Sequence, residues 1–219
     1  MKNDKLKIIY EDKNLLVVDK PYQLLTIGND KEKENTLYYK VSMYLKKKNK
    51  KNKVFIIHRL DYDTSGLIVF AKDIKTKNLL QDNWKQVKRQ YMAIVVGKLK
   101  KDKDTIKSYL KETKTNFVYS SKDQNGGTLA ITTYRKVLET NKYTLLDISI
   151  KTGKKNQIRV HMKDIGNPIL GDKKYGLKGI YKRMYLYAYY LSFKHPITNE
   201  ELEFEMDIPK DFLKVLGKL

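Results

Sequence analysis

The sequence predicts an α+β fold built on a mixed, largely antiparallel central sheet with flanking helices and loops. Two observations carry this. Runs with strand character outnumber those with helical periodicity, and most successive strands are joined by hairpin-length turns, not by helical crossovers. The third observation is continuity: no internal repeat, Gly/Ser linker or interior composition break interrupts the chain. One compact unit over residues 1–219 is the simplest expectation.

Lys7-Ile8-Ile9-Tyr10, a charged turn, and Leu15-Leu16-Val17-Val18 read as a hairpin that ends at Lys20-Pro21. Thr36 can cap a helix whose apolar face is Leu37, Val41, Tyr44 and Leu45. Residues 46–53 form a basic loop. Val54-Phe55-Ile56-Ile57 and Leu67-Ile68-Val69-Phe70-Ala71 read as buried strands. Asp73 can cap a second helix ending near Lys85. Residues 89–97 are a strand, and residues 100–128 a polar meander or inserted lobe turning at Asn125-Gly126-Gly127. Two long strands, residues 128–138 and 143–152, precede a loop that begins at Gly153 and enters a helix near Gln157. An aromatic strand spans residues 183–193, with half of its tyrosines expected to face the core. Another strand covers residues 201–206, and Pro209 opens a terminal helix.

The chain has 219 residues, 41% of them hydrophobic, enough to bury a core. No run approaches the roughly 18 apolar residues a membrane helix needs. The charged start, Met1-Lys2-Asn3-Asp4-Lys5, does not resemble a signal peptide. There is no Cys, which excludes disulfides and thiolate metal sites and fits a cytoplasmic setting; three His make an imidazole zinc site an unpromising reading. The net charge of +21 points to a polyanionic partner. Compositional drift accounts for some of that excess, because all but five of the 46 basic residues are Lys. Drift does not place Arg, however, and Arg59, Arg89 and Arg159 fall in or beside the motifs below.

The most informative stretch is His58-Arg59-Leu60-Asp61-Tyr62-Asp63-Thr64-Ser65-Gly66, between the two apolar runs. A polar loop held by core strands suits a rigidly mounted, reachable carboxylate. An Asp there can be nucleophile, base or metal ligand, or simply the partner of an Arg. Lys154-Lys155-Asn156-Gln157-Ile158-Arg159-Val160-His161 supplies a cation at a helix start. A Gly-punctuated segment follows, from Gly166-Asn167-Pro168-Ile169 to Gly171-Asp172-Lys173-Lys174-Tyr175-Gly176. His58 reads as a structural hydrogen-bonding group, Asp19, Asp63 and Asp172 as turn or capping residues, and Trp84 as packing.

His58-Arg59-Leu60-Asp61-x-x-Thr64-Ser65-Gly66 followed by Ala71-Lys72 resembles the signature of RluA-type pseudouridine synthases. The resemblance runs in order over about residues 7–207: the opening hairpin, Arg89-Gln90-Tyr91-x-Ala93-x-Val95-x-Gly97, and the Gly153 and Gly166–Gly176 motifs. It implies a single catalytic domain that isomerises uridines in structured ribosomal or transfer RNA without metal or organic cofactor. A monomer is expected. In that family Asp61 would be the catalytic carboxylate, as nucleophile or base. Tyr91 would stack on a flipped uracil and could accept a proton, and Arg159 would pair with Asp61 and keep it charged. Arg59, Thr64, Arg89, Lys154, Asn156 and Ile158 would line the RNA-binding surface. Two departures stand out: the family usually has Arg and His where this chain has Lys154 and Asn156. Many relatives also carry a small helical RNA-binding domain ahead of the catalytic one, whereas this chain starts at the hairpin. A non-catalytic RNA-binding or chaperone protein on the same scaffold is the alternative, and a nuclease is disfavoured by the lack of paired metal-binding carboxylates.

Overall fold

The computed structural model describes residues 6–219, apart from Asn29, Lys31, Lys178, Ile180 and Lys182. The chain forms two compact units. One reaches to Val87 and takes in Leu191–Phe204; the other comprises Lys88–Tyr190 and Glu205–Leu219. The sequence carries no sign of this division, because one boundary falls between adjacent elements and the others inside strands. No linker composition marks any of them.

In the first unit, β1 (Lys7–Glu11) and β2 (Leu15–Lys20) form the expected hairpin, and β2 pairs on its other side with β4 (Ser65–Ala71), both antiparallel. Every residue of β4 is buried, consistent with its unbroken apolar, β-branched sequence. The expected strand before the Asp61 loop shrinks to β3 (Phe55–Ile56), which pairs only with Phe70 and Ala71. Helix α1 (Leu37–Lys48) is capped by Thr36, whose hydroxyl accepts the Tyr39 N–H at 3.1 Å. It buries Leu37, Val41 and Leu45, and three of the expected loop lysines (Lys46, Lys47, Lys48) form its last turn, where cations favour the helix dipole. Helix α2 (Ile74–Asp82) starts at Asp73, which accepts from Thr76 N at 2.8 Å and Thr76 Oγ1 at 2.6 Å.

A half-buried charge cluster and a His ring tie this unit together. The Glu11 carboxylate accepts from Tyr44, Lys48 and Lys72 at 2.7–2.8 Å. Burial works against its charge, but these donors outweigh it and hold its pKa at about 2. Because the folded value lies below the ordinary one, Glu11 stabilises the fold above about pH 4.5, and that contribution is lost as pH falls toward 2. Urea titrations of wild type and Glu11→Gln should therefore differ at neutral pH and converge through that window. Elsewhere His195, 1% exposed, accepts the Ile197 and Thr198 N–H groups on Nδ1, so Nε2 carries the proton that it donates to Asp12 at 3.0 Å.

In the second unit, β5 (Lys88–Val96), β6 (Lys103–Glu112), β7 (Val118–Ser121), β8 (Thr128–Glu139) and β9 (Tyr143–Ile150) pair in the order β5-β9-β8-β6-β7, all antiparallel. The polar lobe expected over residues 100–128 is thus a long strand and a short one, integral to the sheet. Strand β10 (Leu186–Lys194) crosses the unit boundary, and β11 (Glu201–Glu205) pairs with it. Of the four tyrosines from Tyr185 to Tyr190, three face the core and Tyr190 is half-buried. Tyr185, Tyr187 and Tyr189 are buried against Ile94, Leu145 and Leu170, with Phe212 and Leu216 from the terminal helix α4 (Lys210–Val215) and just beyond it. The intervening Leu186 and Ala188 are buried too, so the strand is covered on both faces.

Helix α3 (Gln157–Asp164) has a sequence that alternates polar and apolar residues like a strand, yet its first six residues are all buried. It can be helical because each buried polar side chain finds a partner. Gln157 accepts from Thr152 Oγ1 at 2.7 Å and donates to Ile131 O at 3.0 Å. His161 bonds Thr132 Oγ1 at 2.8 Å and Ser108 Oγ at 2.9 Å, and burial lowers its pKa to about 4, leaving it neutral at pH 7.

Candidate active site

Asp61 follows β3 on a loop pinned from two sides within the first unit. The α1 N-terminus holds Thr26 in place, since Tyr38 N donates to Thr26 O at 3.0 Å. Thr26 Oγ1 in turn donates to Leu60 O at 2.8 Å and accepts Leu60 N at 3.2 Å. Both backbone groups of the residue before Asp61 are therefore fixed by one buried hydroxyl. On the other side is Lys20, fully buried, whose ammonium donates to Pro21 O, Leu24 O and Tyr62 O at 3.0, 2.7 and 3.2 Å. A buried ammonium is tolerated only where its donors are satisfied, and here three carbonyls do so. Lys20 reads in sequence merely as the end of a strand; no local signal marks it as the clamp on this loop.

The loop closes as a turn in which Thr64 N donates to Asp61 O at 3.1 Å, and it enters β4 through Ser65 and Gly66. Gly66 has φ 121°, a conformation side chains rarely adopt, while pairing with Lys20 in the sheet register. Asp61 is half-buried, Arg59 exposed and Thr64 buried. His58 accepts the Val69 N–H on Nε2 at 3.2 Å and lies 4.5 Å from the Trp84 ring between centroids. Both residues take the structural roles expected of them.

The other expected residues lie in the second unit. Arg89, Tyr91 and Ala93 share one buried face of β5. Burial pulls the Arg89 guanidinium below its ordinary pKa, with no consequence for its charge at neutral pH. Gly153 lies beside it: a Cβ there would come within 2.7 Å of Arg89 Nη1. Gly153 is exposed and Nη1 is the far end of a flexible side chain, so Gly153→Ala should displace the guanidinium at a cost of no more than about 1 kcal/mol, seen as a small drop in the urea midpoint at unchanged slope.

Arg159 is 7% exposed on α3. It makes a two-pronged pair with Asp172, Nε to Oδ2 at 2.8 Å and Nη2 to Oδ1 at 2.7 Å, and Nη1 donates to Asn156 Oδ1 at 3.0 Å. Asp172 is 1% exposed and also caps its own turn, accepting Lys174 N at 2.9 Å and Tyr175 N at 3.0 Å. Burial disfavours its charge, but Arg159 and these N–H groups outweigh that and hold the carboxyl below the usual range. The turn role of Asp172 is legible in the sequence, whereas its hold on Arg159 is not: thirteen residues separate them with no periodic relation. Ile158 is buried, Lys154 is exposed, and Asn156 is buried with its amide engaged inside the protein.

A family model described as RNA pseudouridylate synthase matches residues 14–164. The chain is 35% identical, over 98% of its own length and 69% of the relative's, to ribosomal large subunit pseudouridine synthase D of Borreliella burgdorferi. It is 33% identical, over 95% of itself and 70% of the relative, to ribosomal large subunit pseudouridine synthase C of Rickettsia bellii. In fold it matches human RNA pseudouridylate synthase domain containing 4 with a TM-score of 0.81, covering 97% of this chain and 92% of that one at 24% identity. A family match over more than half the chain, with relatives aligned along nearly all of it, identifies the chain as a member of the RNA pseudouridylate synthase family, an isomerase.

Proposed function

We propose that this isomerase converts uridine to pseudouridine in the RNA of the large ribosomal subunit, with both units acting as one catalytic domain in the cytoplasm. The observation that carries the choice of RNA is the alignment, along nearly the whole chain, with relatives named for the large ribosomal subunit. The net charge of +21 supports a polyanionic substrate.

Asp61 supplies the carboxylate, as nucleophile toward the sugar or as base toward its proton. The bond from the sugar to the ring nitrogen breaks, the uracil turns, and its carbon 5 bonds to the same sugar carbon. Carbon 5 loses its proton and the nitrogen regains one, so the reaction is balanced with no external reagent. A stacked uridine must first leave the helix, at a cost of a few kcal/mol. Tyr91 and Ile158 offer faces without directional clamps, suited to a base that has to rotate. Arg159 is the cation of the site. Arg59 and Lys154, both exposed, act toward the RNA, while Thr64 and Arg89, both buried, act from behind that surface.

RNA tritiated at carbon 5 of uridine should release tritium on incubation with the protein. Pseudouridine mapping in a deletion strain should show a loss confined to large-subunit RNA. No release from any cellular RNA fraction would refute the activity of this chain. A loss mapped to transfer RNA would refute the ribosomal assignment alone.

A further inference from the structure

We infer that Asn156 is a positioning residue for Arg159, bracing the guanidinium against Tyr175. This rests on the reading of Arg159 as the cation of the site. Asn156 precedes α3 with φ 55° and ψ 17°, left-handed backbone that Asn tolerates better than most residues. It makes no side-chain cap bond to the helix it precedes. Its amide is turned to another use. Oδ1 accepts Arg159 Nη1 at 3.0 Å while Nδ2 donates to the Tyr175 hydroxyl at 3.1 Å. That hydroxyl also accepts the Val118 N–H at 3.1 Å, which anchors the brace to the sheet through β7.

Three neighbouring side chains constrain Arg159. Asp172 grips the edge formed by Nε and Nη2, Asn156 holds Nη1, and the Tyr175 ring lies 5.1 Å from the guanidinium carbon. Beside the two-pronged hold of Asp172, the bond on Nη1 adds a restraint against rocking of the plane about that edge. All four side chains are at least nine-tenths buried, so water does not readily replace a lost bond. The resemblance drawn from sequence puts Asn156 among the RNA contacts. Its burial and its two internal partners favour action through Arg159 instead.

The test uses single-turnover tritium release from RNA. Asn156→Gly keeps the left-handed backbone and removes the amide, Asn156→Asp keeps the acceptor for Arg159, and Arg159→Ala removes the cation. Asn156→Gly should slow the rate at saturating RNA by about tenfold or more, the scale of a small misplacement of a reacting group. Its half-saturating RNA concentration should stay within about twofold of wild type. Asn156→Asp should retain most of the rate. Rates are compared well below each variant's melting temperature, so that loss of folded protein does not enter. A wild-type rate for Asn156→Gly, an equal loss in Asn156→Asp, or a loss appearing only as weaker RNA binding would overturn the positioning role. A wild-type rate for Arg159→Ala would overturn the reading of Arg159 itself, whatever Asn156 does.

Discussion

Asp61→Asn should abolish tritium release while leaving the fold intact. The substitution keeps the shape and removes the charge. A neutral amide can neither attack a sugar carbon nor take a proton, so a fall of at least about 10⁴-fold is expected, as for other residues without which covalent chemistry cannot proceed. The backbone of the loop should keep its place, because other groups hold it. Its backbone is fixed through Leu60 by Thr26 and through Tyr62 by Lys20, neither of which uses the Asp61 carboxylate. Circular dichroism should therefore match wild type. A fully active Asn variant would remove Asp61 from the mechanism.

Asp172→Ala should have the largest effect on stability. Arg159 and Asp172 are 7% and 1% exposed, and the pair is joined by two short bonds. Removing one member of a buried pair takes away the other's main compensation among the contacts described above, which costs up to about 3–5 kcal/mol. The same substitution also frees the N–H groups of Lys174 and Tyr175 from their acceptor. Urea unfolding should show the loss directly. A decrease below about 1 kcal/mol, the range of solvent-exposed pairs, would mean that the pair is not buried in solution. Activity should fall as well, since Asp172 holds Arg159 by two hydrogen bonds.

Much of the fold was legible from local chemistry. Thr36 and Asp73 cap their helices because a short polar side chain can satisfy the first free N–H groups wherever a helix begins. The opening hairpin and β4 follow from β-branched runs bounded by turn residues. The spacing around Asp61 marked the loop, and the order of the motifs marked the family. Local pattern failed where two distant elements had to meet. Half of the tyrosines from Tyr185 to Tyr190 are expected in the core, but three of the four are buried, and so are Leu186 and Ala188 between them. The lysines after Leu45 read as a loop, although the helix carries on through three of them.

The sequence by itself determined the fold class, the loop that presents Asp61 and the family, because each is set by residues close together in the chain or by motifs in fixed order. Only the tertiary structure decided what holds these parts in place: a buried Lys20 on three carbonyls, Gly153 yielding room to Arg89, and Asn156, Asp172 and Tyr175 around Arg159. Whether a Lys is a solvated charge or a clamp depends on which carbonyls the fold brings to it. No periodicity or composition encodes that meeting; it exists only once the surrounding core has excluded water and left the polar groups to satisfy one another.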